Sequence, residues 1–141
     1  MAAFSERKLS WLVYTVLFGM VPIFMRLFAC TLVNGNKIPM FSASDFISLG
    51  IVLHVSLMAE TRYSEPEGSH WKKTIVGLSV LAVLFYAVLY IFSMLADIYA
   101  DINLSIVFWA PVVMTIGSFA MCWVVYDRLT YTPAPSKEVV A

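Results

Sequence analysis

The chain has 141 residues, of which 61% are hydrophobic and 13% charged, whereas soluble domains carry about 45–50% apolar and about 25% charged residues. This composition excludes an ordinary soluble domain, and nine basic residues balanced by nine acidic ones leave no basic patch for nucleic acid. Two cysteines without a CxxC spacing exclude a disulfide scaffold and a zinc site, so we expect no cofactor and no metal.

Four apolar segments follow one another along the chain, and each is predicted to be a transmembrane helix. The first, about residues 9–33, is uncharged except for Arg26. The third (about 72–97) and the fourth (about 102–127) contain uncharged runs longer than the ~20 residues that cross a bilayer. The second (about 42–61) is weaker, because Asp45 and Glu60 leave a shorter uncharged stretch, which also suits a re-entrant or buried segment.

The distribution of Lys and Arg favours four spans and gives their orientation. With four spans, seven of the nine basic residues fall on one side: Arg7, Lys8, Arg62, Lys72, Lys73, Arg128 and Lys137. The positive-inside rule places that side in the cytoplasm. We therefore expect an all-α membrane protein, an antiparallel bundle of four transmembrane helices over residues 1–131 with both termini cytoplasmic. Residues 132–141 form a short cytoplasmic tail.

Arg26 is the one charge inside the first segment, and an unpaired charge there costs about 2.5–3.5 kcal/mol on insertion scales. Asp45 lies at nearly the same depth in the next helix, so the spacing predicts an Arg26–Asp45 ion pair. Asp97, at the end of the third helix, is a second candidate partner. A lipid phosphate is the third, because the side chain is near enough to the interface to reach it.

Polar and small residues form one stripe on each of the last two helices. At 100° per residue, one face of the third helix carries Ser79, Tyr86, Tyr90 and Ser93. The fourth helix presents Pro111, Thr115, Ser118 and Cys122 in the same way. We expect the two stripes to face each other as a packing interface within the bundle, and a hydrated pathway is the alternative.

The second helix has polar or small residues on two sides. Asp45 and Ser56 lie on one side, and Gly50 and His54 lie on the other. A membrane helix of this kind needs protein neighbours on both sides, because lipid is a poor neighbour for an imidazole. We expect the Asp45 side to pack within the bundle, and Gly50 and His54 to contact a neighbouring subunit.

The largest polar patches on the basic side lie between the second and third helices and after the fourth. They form the expected docking face for a cytoplasmic protein, which comprises Tyr63, Glu65, Glu67, His70, Asp127 and Arg128, together with the tail.

The sequence brings no nucleophile and base together, so we expect no enzyme. The expected function is a non-catalytic, self-associating membrane subunit that serves as an anchor, sensor or scaffold. Its partners would be membrane lipids, further copies of itself and a cytoplasmic protein, without nucleic acid. Small components of bacterial defence or stress systems share this plan, which suggests the bacterial inner membrane. The alternative is a small oligomeric channel or transporter for ions or small molecules.

Overall fold

The computed structural model describes residues 6–33, 39–63 and 70–130, which are almost entirely helical. The first stretch comprises α1 (Glu6–Trp11), a π-helical turn (Leu12–Val16), α2 (Leu17–Gly19) and α3 (Val21–Leu32). Three long helices follow: α4 (Ala43–Tyr63), α5 (His70–Ala96) and α6 (Leu104–Thr130). No strand occurs within these three described ranges, and the expected all-helical class is confirmed.

Three helices, α4, α5 and α6, are long and apolar enough to cross a membrane. The first stretch adds a fourth span if its two halves, Leu9–Gly19 and Val21–Leu32, cross together. A helix suits this environment because it pairs its backbone groups internally. These helices are consistent with an integral membrane protein of three or four spans.

The first stretch differs from the single helix that the sequence predicts over residues 9–33. It begins at Glu6, contains the π-helical turn, and bends by 45° at Met20. Pro22, in the first turn of α3, lacks a backbone N–H and its ring would clash with the carbonyl of residue 18 in a continuous helix. The break therefore lies where the helix cannot continue regularly.

Local capping fixes where α4 and α6 begin. The Ser42 backbone N–H, just before α4, donates to Asp45 Oδ2 at 3.2 Å. The side chain of Asn103 accepts from the backbone N–H groups of Ser105 and Ile106, at 3.1 and 3.4 Å. Both are N-terminal caps that pair donors left over at a helix start.

Helix α4 is the central element of the described structure. It contacts α5, α6, α3, α2 and the π-helical turn. Residue pairs along it show that the first stretch runs antiparallel to α4, since Trp11 reaches Ser56 and Arg26 reaches Asp45. We call the end where Trp11 stacks on Tyr126 the terminal end, and the end where Arg26 meets Asp45 the distal end.

Burial follows from this arrangement. In the most apolar windows of the long helices, 39% of α4, 22% of α6 and 11% of α5 is buried inside the chain. Helix α5 therefore presents most of its surface to its surroundings, whereas α4 is covered on several sides by the same chain.

Candidate functional site

At the distal end, Arg26 and Asp45 form an ion pair. Arg26 donates from Nε to Asp45 Oδ2 at 2.5 Å and from Nη2 to Oδ1 at 3.3 Å. The Asp45 carboxylate is 6% exposed, whereas the Arg26 side chain is 26% exposed. The pair neutralises two largely buried charges, and about a quarter of the Arg26 side chain remains exposed.

Of the candidate partners for Arg26, the structure brings Asp45 to it and leaves Asp97 apart. Asp97 is exposed just beyond the end of α5, and α5 contacts α4 and α6 but none of the described segments of the first stretch. A lipid phosphate can bind only to guanidinium N–H groups that Asp45 leaves unused, because Nε and Nη2 donate to the carboxylate.

A second polar group lies at the middle of the bundle, where α4, α5 and α6 meet. His54 Nε2 lies 2.9 Å from Ser118 Oγ, and the Tyr86 hydroxyl lies 2.9 Å from the same oxygen. The Tyr86 hydroxyl also donates to Thr115 Oγ1 at 3.3 Å, and Thr115 donates to the Phe46 carbonyl at 2.8 Å. These contacts connect three helices through buried side chains, which we call the central network (His54, Tyr86, Thr115 and Ser118).

Counting hydrogens gives the central network a direction. Thr115 uses its hydrogen on the Phe46 carbonyl, and Tyr86 uses its hydrogen on Thr115. Ser118 must then donate to Tyr86, and His54 donates from Nε2 to Ser118. The imidazole is thus assigned as the Nε2–H tautomer, and its Nδ1 is a buried acceptor with no hydrogen-bond partner in the described part of the chain.

The position of Gly50 and His54 corrects the expectation that they contact a neighbouring subunit. His54 is 2% exposed and bonds to Ser118 of the same chain. A Cβ at Gly50 would overlap the phenol ring of Tyr86, so the glycine is needed for the close approach of α4 and α5. The second protein neighbour that α4 requires is the α5–α6 pair of its own chain.

The polar stripe of α5 divides into two parts. Ser79 and Tyr86 are fully buried, and Tyr86 meets Thr115 and Ser118 of the α6 stripe. Tyr90 is 46% exposed and Ser93 is only partly buried. The two stripes therefore meet at Tyr86, near the middle of α5. Buried Ser79 Oγ has no hydrogen-bond partner among the described residues.

A third polar group lies toward the terminal end, between the first stretch, α4 and α6. Trp11 Nε1 donates to Ser56 Oγ at 3.1 Å, and Thr15 Oγ1 lies 2.8 Å from the same oxygen. Trp11 stacks on Tyr126 with ring centroids 4.2 Å apart. Beside these contacts lies a cavity of about 260 Å³, the terminal pocket, lined by Ser10, Trp11, Tyr14, Thr15, Ser56, Glu60 and Tyr126.

Sequence reasoning missed the terminal pocket. Ser56 falls on the same stripe of α4 as Asp45, and Trp11 and Thr15 are four residues apart, which places them on one helix face. Matching these two patterns across the first hairpin would have brought the three residues together. Tyr126 comes from a helix far along the chain, and the pattern alone does not place it there.

Several parts of the expected docking face lie outside the described residues, namely Glu65, Glu67, the Tyr63 side chain and the tail over 132–141. His70, Asp127 and Arg128 are exposed at the terminal end, and the Arg128 guanidinium lies 4.9 Å from the centroid of the Trp71 ring. That cation–π contact ties the end of α6 to the start of α5.

No group of three or more His, Cys, Asp or Glu residues suited to a metal ion occurs in the part of the chain that the structure describes. Comparisons of the sequence with protein families and with curated proteins, and of the chain with solved structures, found no match.

Proposed function

We propose that the chain is a non-catalytic integral membrane subunit that self-associates and serves as an anchor, sensor or scaffold for a cytoplasmic protein. In this proposal the bent first stretch crosses the membrane as one span. The chain is then an antiparallel four-helix bundle with both termini cytoplasmic, in the bacterial inner membrane. The seven basic residues that fall on one side of four spans support this orientation.

One observation carries the proposal: three polar side chains spaced along α4, those of Asp45, His54 and Ser56, each bond to another helix or segment of the same chain. Asp45 pairs with Arg26, and His54 meets Ser118. Ser56 accepts from Trp11. A bundle of this size is normally filled by its own side chains, and these contacts fit a filled interior better than a lined pathway. They favour a structural subunit over a channel whose pore runs through one bundle.

The outer face of α6 supports self-association. Val113, Gly117, Ala120 and Val124 are all exposed, and their spacing of four, three and four residues places them along one face of the helix. Small residues such as Gly117 and Ala120 let membrane helices approach closely. We call this set the α6 seam, and we propose it as the subunit contact in place of Gly50 and His54.

Two leucine substitutions test the seam against a matched control. A Cβ at Gly117 or at Gly77 would meet no heavy atom within 4 Å, so both substitutions fit the fold of the single chain. Gly117→Leu is expected to abolish self-association, whereas Gly77→Leu, on the outer face of α5, leaves it intact. The measurement is disulfide cross-linking of Val113→Cys in native membranes, with Cys30 replaced by Ser. Equal cross-linking in both leucine variants would contradict the α6 seam.

The alternative function, an oligomeric channel or transporter, is tested separately. The purified protein is reconstituted into liposomes, and ion flux is measured. We expect the ion flux of the reconstituted liposomes to equal that of protein-free liposomes. Flux that disappears with Gly117→Leu would replace the scaffold by an oligomeric pore.

A further inference from the structure

We infer that a cleft between the first stretch, α4 and α6 binds an acyl chain of a membrane lipid. The cleft has a volume of about 330 Å³, within the ~300–1,000 Å³ of ligand sites in proteins. The inference rests on the membrane residence proposed above, and it requires neither self-association nor a cytoplasmic partner. We call this space the apolar cleft, and its walls include Val16, Met20, Leu49, Leu53, Val112 and Ile116.

The cleft exists because the first stretch leaves α6 soon after it begins. At the terminal end, Trp11 stacks on Tyr126 of α6. Beyond α1, the described backbone of the first stretch packs against α4 and makes no close approach to α6. Val16 and Met20 therefore lie across an open space from Val112, and α4 forms the floor of that space.

Two contacts hold the first stretch in this position. A Cβ at Gly19 would overlap Leu49, so α2 already lies at its closest approach to α4. Beyond the bend at Met20, Arg26 pairs with Asp45. Because α3 cannot move toward α6 without breaking this ion pair, the apolar cleft is preformed.

The lining offers no hydrogen-bonding group to an occupant. No polar atom of the described lining is exposed in the cleft. Thr115 is the one polar side chain in that lining, and its hydroxyl donates to the Phe46 carbonyl at 2.8 Å and accepts from Tyr86 at 3.3 Å. A buried water molecule needs about two to four polar partners, so water is not a stable occupant of this cleft.

The dimensions of the cleft exclude a helix of a second copy. A single helical turn, about 10 Å across and 5.4 Å long, occupies about 420 Å³, which is more than the whole cleft. An acyl chain is one methylene group wide and needs no hydrogen-bond partner. An unfilled apolar space would lose the dispersion contacts of its walls, which favours hydrocarbon over an empty cleft.

The depth and the opening of the cleft match the hydrocarbon of a bilayer. Leu49 and Leu53 lie six and ten residues after the start of α4, or roughly 9 and 15 Å along its axis at ~1.5 Å per residue. This level is near the middle of ~30 Å of hydrocarbon. Ile116 is 66% exposed, so the cleft is open toward the surroundings of α6. A lipid tail can therefore enter from the side at this depth.

A second apolar cavity lies at a different level. It has a volume of about 360 Å³ between the distal parts of α5 and α6, and Asn103 belongs to its lining. Because Asn103 caps the start of α6, this cavity adjoins the distal membrane surface, where water and headgroups compete with acyl chains. The apolar cleft has walls from three segments at the depth of the lipid tails, and this difference assigns the acyl chain to it.

The test places the full chain in nanodiscs of phosphatidylglycerol, in which a small fraction of the lipid carries a diazirine midway along one acyl chain. After illumination, the labelled residues are located by mass spectrometry of peptides. Leu49 is partly buried, whereas Leu84 on the outer face of α5 is 59% exposed. Labelling in proportion to exposure would favour Leu84. We expect stronger labelling of Leu49, because a bound acyl chain stays in the cleft whereas the surrounding lipid exchanges.

Two substitutions close the cleft. Val112→Phe adds a ring to its wall, and Ile116→Trp covers its opening. Each is expected to abolish labelling of Leu49 and to leave labelling of Leu84 unchanged. Val80→Phe, on the exposed surface of α5, is the matched control and should change neither. Loss in either closing variant that keeps its helicity in circular dichroism supports the site, and unchanged labelling of Leu49 in both would overturn it.

The remaining outcomes separate this site from the proposed function. Gly117→Leu, which is expected to abolish self-association, should leave labelling of Leu49 unchanged. Labelling of Leu49 that appears only in Gly117→Leu would show that a side chain of a second copy fills the cleft, and it would contradict the acyl chain. Absence of label at Leu49 alone would also contradict it. Absence of label at both Leu49 and Leu84 would contradict membrane residence, on which both proposals depend.

Discussion

Gly50→Ala tests how the central helix is packed. The added methyl group at Gly50 would overlap the phenol ring of Tyr86, whose side chain is fully buried. The ring cannot remain in place, and its hydroxyl must leave Ser118 and Thr115, which it meets at 2.9 and 3.3 Å. The substitution is small, but it acts on the contact that holds α4 against α5.

The cost can be worked from three contributions. Overpacking of a tight core costs about 1–3 kcal/mol. Two lost hydrogen bonds inside a membrane add roughly 1.2 kcal/mol, at about 0.6 kcal/mol each. The higher helix propensity of alanine returns about 0.8–1.0 kcal/mol. We therefore expect Gly50→Ala to lower the free energy of unfolding by about 1–3 kcal/mol.

The assay is equilibrium unfolding in mixed micelles with increasing SDS, followed by circular dichroism. Gly77→Ala is the matched control, because a Cβ there meets nothing within 4 Å. It should leave the free energy of unfolding unchanged or raise it by up to about 1 kcal/mol. In a Tyr86→Ala background, Gly50→Ala should lose its cost, because the ring it displaces is gone. The same cost in both backgrounds would show that the Tyr86 ring is not its cause.

The remaining predictions concern the other polar groups and the tail. Arg26→Leu should destabilise the chain by about 3–5 kcal/mol in SDS titration, because it leaves the buried carboxylate of Asp45 unpaired. Asp45→Asn should destabilise it less, because the Arg26 side chain is partly exposed. The exchange Arg26→Asp with Asp45→Arg should restore part of the loss, and an exchange variant no more stable than the single variants would contradict this pairing. Ser118→Ala should lower the free energy of unfolding by about 1–3 kcal/mol, because His54 and Tyr86 lose the partner that they share. Ser79→Ala should be neutral or stabilising, because the Ser79 hydroxyl has no hydrogen-bond partner among the described residues. Deletion of residues 132–141 should reduce co-purification of a cytoplasmic protein and leave Val113→Cys cross-linking unchanged; retention of that protein would exclude the tail from docking.

The helices were predictable because the bilayer leaves few alternatives. Long uncharged runs predict the bounds of α5 and α6 to within a few residues of those observed. The projection at 100° per residue placed Tyr86 opposite Thr115 and Ser118. A short hairpin and equal depth placed Arg26 beside Asp45. Each of these inferences uses only periodicity, depth and chain connection.

The neighbours of α4 were not predictable in the same way. Polar residues on two sides show that a membrane helix needs protein on both sides, but they do not show whether that protein belongs to the same chain. The sequence therefore predicts a subunit contact at His54 and Gly50, although α5 and α6 cover both residues. The π-helical turn also has no local signature, since Trp11 and Thr15 meet their partner Ser56 only in the folded chain.

Self-association is measured by the number of copies of the chain in each assembly. The protein is labelled with one fluorophore per chain, extracted with its native membrane into polymer nanodiscs, and counted by single-molecule photobleaching. The account predicts two or more bleaching steps for most particles of the unsubstituted chain and of Gly77→Leu, and one step for Gly117→Leu. A single step for most particles of the unsubstituted chain would contradict it.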